Sequence, residues 1–85
     1  MTYEQIIAEI NLGEESDFTL QQAHMVINRL RRVGIWTRVE FMAHGPYIRV
    51  EMGRPSEQWD VVLAHFPLAV HKAASMALDR LRREL

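Results

Sequence analysis

The hydrophobic pattern changes period in the middle of the chain, and that change constrains the fold more than any other feature. Residues 35–42 and 47–52 alternate apolar with polar side chains, the period of a strand with one buried face. Ala43-His44-Gly45-Pro46 separates the two runs as a turn. If Met42 pairs with Tyr47, Glu40 faces Arg49 and Arg38 faces Glu51 on one side. On the other side Phe41 meets Ile48 and Val39 meets Val50. One register therefore places opposite charges together outside and apolar pairs together inside. A slip by one residue would bury four charges. Two strands alone are marginal in water, so the apolar side needs helices against it.

The flanking segments supply them. Thr2 and Gln5 have capping-box spacing, and Tyr3, Ile6, Ile7 and Ile10 form one helical stripe. Gly13 is expected to end this helix. Thr19 and Gln22 repeat the capping box, with Phe18 placed as a hydrophobic staple against Ala23. Leu20, Ala23, Val26, Ile27, Leu30 and Val33 make the second stripe. Gly34 closes that helix, and Ile35 folds back on its last turn. After the hairpin, Gly53-Arg54-Pro55 is expected to break the strand. Ser56 would cap a third, short helix carrying Trp59, Val62, Leu63 and Phe66. Pro67 would open a last helix with Val70, Ala74, Ala77, Leu78, Leu81 and Leu85 on one side. Ala73, Ala74 and Ala77 would let another backbone approach it closely.

The expectation is one α+β domain over residues 1–85, ordered helix, helix, β-hairpin, helix, helix, with a two-stranded antiparallel sheet packed on helices. Such a sheet leaves two open edges. Pairing of a hairpin edge with a second copy would give a homodimer and one continuous core.

With 85 residues and no cysteine, disulfides, thiolate metal sites and cysteine nucleophiles are excluded. A small domain without disulfide staples points to the cytoplasm. The N-terminus lacks a signal-peptide pattern, and no apolar run approaches the ~20 residues that span a bilayer. No membrane partner is expected. The net charge of −1 gives no bulk attraction to nucleic acid.

Catalytic patterns are missing. His24, His44, His65 and His71 lack the spacing of a metal-binding helix. Ser16, Ser56 and Ser75 have no nucleophile elbow around them. Glu14, Glu15 and Asp17 lie together in a loop, and no glycine-rich phosphate loop is present. The chain is expected not to be an enzyme and to have no catalytic residue, cofactor or metal. A small hydrolase would require a pocket gathering His44, His65 or His71 with acidic residues.

Binding residues are more evident. Trp36, Met42 and Tyr47 share the outer hairpin surface with Arg38 and Arg49, a composition typical of interface hot spots. Met25 on the second helix is a lesser apolar candidate. Arg29, Arg31, Arg32, Arg54, Arg82 and Arg83 form a second candidate site, a basic patch, if the two helix ends converge. The run Asn28-Arg29-Leu30-Arg31-Arg32-Val33-Gly34-Ile35, followed by a hairpin, resembles the end of a winged-helix DNA-binding domain. That resemblance implies a nucleic-acid-binding regulator. The loop from Gly13 to Phe18 leaves no room for the further helix that such a domain places before its recognition helix. No residue roles are therefore carried over. The leading expectation is a non-enzymatic protein-binding regulatory module. Small bacterial or phage inhibitors, adaptors and anti-defence proteins belong to this size class. Nucleic-acid binding is the alternative.

Overall fold

The computed structural model describes residues 2–84. The order is α1 (Tyr3–Ile10), a 3-10 turn (Glu15–Asp17), α2 (Leu20–Arg32), β1 (Trp36–Phe41), β2 (Ile48–Arg54), β3 (Glu57–Leu63) and α3 (Phe66–Glu84). The three strands form an antiparallel meander in the order β1-β2-β3. The fold is therefore a small α+β domain, but with three strands instead of two.

The correction lies at residues 56–66. Trp59, Val62, Leu63 and Phe66 have helical spacing, yet Trp59, Val61 and Leu63 also alternate, and the strand prevails. Trp59 is buried while its neighbour Asp60 is exposed. Gly53 does not break β2. The strand continues to Arg54, and a two-residue turn at Pro55–Ser56 returns the chain into β3 with Arg54 opposite Glu57. Ser56 is thus a turn residue, not a helix cap. β-Branched Val61 and Val62 fit a pleated strand better than a helix.

The helix starts agree with their caps. Thr2 and Thr19 each close a reciprocal capping box with Gln5 and Gln22. α1 ends earlier than Gly13: Asn11 takes the left-handed conformation at φ 47° and donates its N–H to the Ile7 carbonyl. Asparagine is the side chain that best tolerates this conformation after glycine. Gly34 ends α2 at φ 88°, donating to the Arg31 carbonyl while Ile35 donates to that of Leu30. These two bonds are a Schellman motif, and Leu30 and Ile35 are both buried behind it. α3 begins one residue before Pro67, after His65, whose Nδ1 accepts the Leu68 N–H at 3.4 Å.

The helices cover one face of the sheet. Val50, Met52 and Trp59 on that face join Val26, Leu30, Ala69, Val70, Ala73, Ala74 and Ala77 in the core. The alanines bring α3 close enough for Trp59 Nε1 to donate to the Ala73 carbonyl at 3.0 Å. Leu85, placed in the last stripe by periodicity, lies outside the described residues.

Helix direction follows from these contacts. Trp59 meets Ala73 and Glu57 meets Arg80, so α3 runs antiparallel to β3. α2 leads into β1 through residues 33–35 and packs against α1 and α3. α1 lies antiparallel to α3, with Tyr3 near Arg82, and with His71 Nε2 3.0 Å from the Gly13 carbonyl.

Candidate functional site

The hairpin has the expected register: Arg38 opposite Glu51, Val39 opposite Val50, Glu40 opposite Arg49 and Phe41 opposite Ile48. The charge pairing differs in one respect. Arg38 Nη2 meets Glu51 Oε1 at 3.2 Å as its register position implies. Arg49 turns away from Glu40 to Glu51 Oε2 at 3.1 Å and Asp60 Oδ2 at 3.0 Å. Asp60 lies on β3, a strand that the hairpin pattern does not contain. The result is a row of alternating charge, Asp60–Arg49–Glu51–Arg38, across the outer face. Glu40 makes no ion pair among the described residues.

Trp36 stands at one end of this face. Its ring lies over Gly53, where an added Cβ would come within 2.6 Å of Trp36 Cζ2. Only glycine leaves this space, so Trp36 covers the backbone of the central strand. At the other end of the sheet, Met42 donates its N–H to the Tyr47 carbonyl at 3.1 Å to close the hairpin. Tyr47 is 50% exposed there, and Phe41 78%. Met42 and Val62 are exposed at the same end. The sequence reading missed Phe41, because its position on the apolar face implied cover. Ile48 and Leu63 in the same row are packed against the core, whereas Phe41 stands on the edge strand. The candidate interface is therefore divided. Trp36, Arg38 and Arg49 belong to the outer face, while Met42 and Tyr47 belong to the hairpin end.

The basic residues divide too. Arg29 donates to the Ile10 carbonyl at 3.1 Å and so caps α1. Arg32 lies 3.7 Å from Glu9. Arg54 bonds Glu57 across the β2–β3 turn, and Arg80 approaches Glu57 from α3 at 3.2 Å. The hydrogen bond from Arg54, joined by the charges of both arginines, holds the Glu57 carboxyl below its ordinary range. Arg80 also lies 4.7 Å from the centre of the Trp59 ring. Arg31, Arg82 and Arg83 make no ion pair among the described residues. Arg31 lies with Asn28 and Arg32 at the end of α2, which reaches Glu9 and Ile10 at the C-terminal end of α1, whereas Arg82 lies beside Thr2, Tyr3 and Glu4 at the other end of α1.

The histidines have separate surroundings. His71 touches Phe18 edge-on at 4.9 Å and ties the α1–α2 loop to α3. His24 packs against Phe66, and His44 lies in the hairpin turn. His65 lines an open groove with Glu14, Glu15 and Ser16. No hydrogen bond joins His65 to any of those three among the described residues. No group of three or more His, Asp or Glu among the described residues is arranged to hold a metal ion. Nor is any helix among them long and apolar enough to cross a membrane.

No protein-family model matches this chain, and neither a curated protein nor a solved structure matches it.

Proposed function

We propose that this chain is a non-enzymatic protein-binding module that presents the hairpin end and outer face of its sheet to a protein partner. One observation carries the reading: Phe41 and Tyr47, 78% and 50% exposed, stand with Met42 and Val62 at the hairpin end of the sheet. Large aromatic side chains left in water at one place are the usual anchors of a protein interface. The charged row beside them adds a polar margin that can select a complementary partner. The test is affinity capture with the tagged chain after nuclease treatment, compared with a Phe41→Ser/Tyr47→Ser variant. The expected result is a protein retained by the wild type and lost from the folded variant. Equal capture by both would overturn the reading.

A second reading, nucleic-acid binding, is favoured by Arg31, Arg82 and Arg83, exposed cations that make no ion pair among the described residues. It requires binding that weakens steeply with salt, as counterion release demands. Arg82→Ala together with Arg31→Ala should reduce that salt dependence. Absence of binding to duplex and single-stranded probes at low salt would remove this reading.

A further inference from the structure

The β1 edge has a property that β3 lacks: it is complementary to itself. The Met42–Tyr47 bond sets the parity of the β1–β2 ladder. Even-numbered residues of β1 turn their backbone groups toward β2. Thr37, Val39 and Phe41 turn theirs outward, where β1 is the edge of the sheet. An antiparallel copy can engage those outward groups only in registers that match odd residues with odd ones. Centring on Arg38 sets Arg38 against itself, and centring on Glu40 sets Glu40 against itself. Centring on Val39 sets Arg38 opposite Glu40 of the copy, twice, and Trp36 opposite Met42, twice. Like charges directly opposite are destabilising and opposite charges stabilise, so charge selects this register. On the β3 edge the outward residues are Gln58, Asp60 and Val62, and no self-pairing sets opposite charges together.

We propose that the β1 edge binds a second copy of this chain, antiparallel, about a two-fold axis at Val39. The proposal rests on the protein-binding reading and names the partner of this one edge. The pairing joins two three-stranded sheets into one of six strands. Val39 exchanges two backbone hydrogen bonds with its counterpart, and each Thr37 exchanges two with the opposite Phe41. Glu40, without an ion pair among the described residues, meets Arg38 of the copy and extends the row Asp60–Arg49–Glu51–Arg38 across the junction. Phe41 gains cover from the copy's Thr37, and Trp36 from its Met42.

Sedimentation at tens of micromolar should give the mass of two chains. Glu40→Lys should weaken self-association at least about tenfold, because two opposite-charge contacts become two like-charge contacts. Arg38→Glu should do the same. Mixed one to one, the two variants should form a heterodimer, since each then supplies the charge that the other lacks. Arg38→Glu also faces Glu51, so a cysteine test stands beside it. The chain has no cysteine of its own. In this register two Val39→Cys residues face each other at about 5.5 Å between Cα atoms, within disulfide reach. Two Phe41→Cys residues would be about 13 Å apart. Val39→Cys should therefore cross-link under mild oxidation, and the more exposed Phe41→Cys should not. A single-chain mass for the wild type overturns the proposal, as does cross-linking of Phe41→Cys ahead of Val39→Cys. A wild-type monomer that still captures another protein through Phe41 and Tyr47 overturns the self-pairing and leaves the protein-binding reading intact.

Discussion

The two faces of the sheet come from the same three strands and are held together by different forces. On the inner face, Val50 and Met52 lose all their exposure beneath α2 and α3, and the apolar surface removed from water provides the stabilisation. On the outer face no element covers the strands. Glu51 is still only 8% exposed there, because Arg38 and Arg49 lie over it. A central carboxylate with an arginine on either side is desolvated by its own partners. The inner face resists change through shape, the outer face through charge. The outer face can therefore tolerate a new neighbour that continues its charge sequence, whereas the inner face has no vacancy for one.

Four substitutions test that contrast. Trp59→Ala removes the largest buried ring of the inner face together with its bond to the Ala73 carbonyl. We expect a loss of about 3–5 kcal/mol by chemical denaturation, a large share of the stability of a domain this small. A loss below that of the outer-face changes would reverse the contrast. Glu51→Ala leaves Arg38 and Arg49 side by side without their shared acceptor. The expected cost is about 1–3 kcal/mol, and added salt should reduce it by screening the two arginines. Insensitivity to salt would show that packing, not charge, holds the outer face. Thr37→Val acts on a flaw of the inner face, since the buried Thr37 hydroxyl has no hydrogen-bond partner among the described residues. Removing it should raise the denaturation midpoint, with a gain of up to about 1 kcal/mol. A lower midpoint would mean that the hydroxyl is satisfied in solution. The smallest effect belongs to Glu57, in the last row of the inner face, where charge replaces packing. Its carboxyl titrates below the ordinary 4.5 when folded. The stability it contributes is present above that value and lost as pH falls through the lowered one. Glu57→Gln should flatten this acid-side decline in pH-dependent melting, and an unchanged slope would show that the Arg54 and Arg80 contacts do not persist.

The first hairpin, the caps of α1 and α2 and the Gly34 stop were legible because each rests on residues close in sequence. The capping boxes span three residues, and the Arg38–Glu51 pair follows from a turn of known length. β3 was hidden by an overlap of periods, as Trp59 and Leu63 suit a helix and a strand equally. Its signal lay in Val61, and in the chance that Pro55–Ser56 makes a tight turn between Arg54 and Glu57. The partners of Arg49 are hidden for the same reason, since one of them, Asp60, stands on β3. Arg29 and Arg32 read in sequence as part of a basic patch, and the structure sets both against the end of α1. No local pattern announces a guanidinium that reaches a carbonyl nineteen residues away. The exposure of Phe41 is equally invisible in sequence, because it depends on β1 lying at the edge of a sheet whose same row is covered at Ile48 and Leu63.

The meander order also bears on the time course of folding. Every strand pairs with its neighbour in the chain, so the sheet forms by closing two short turns and asks little of chain diffusion. α1 is different. Its contacts with α3, Gly13 beside His71 and Tyr3 beside Arg82, join residues 58 or more apart in sequence. Closure over that distance comes after the hairpins, and α1 is the natural last element to dock and first to detach. Amide exchange should accordingly be fastest in α1 among the helices, with β2, flanked by strands on both sides, the slowest segment.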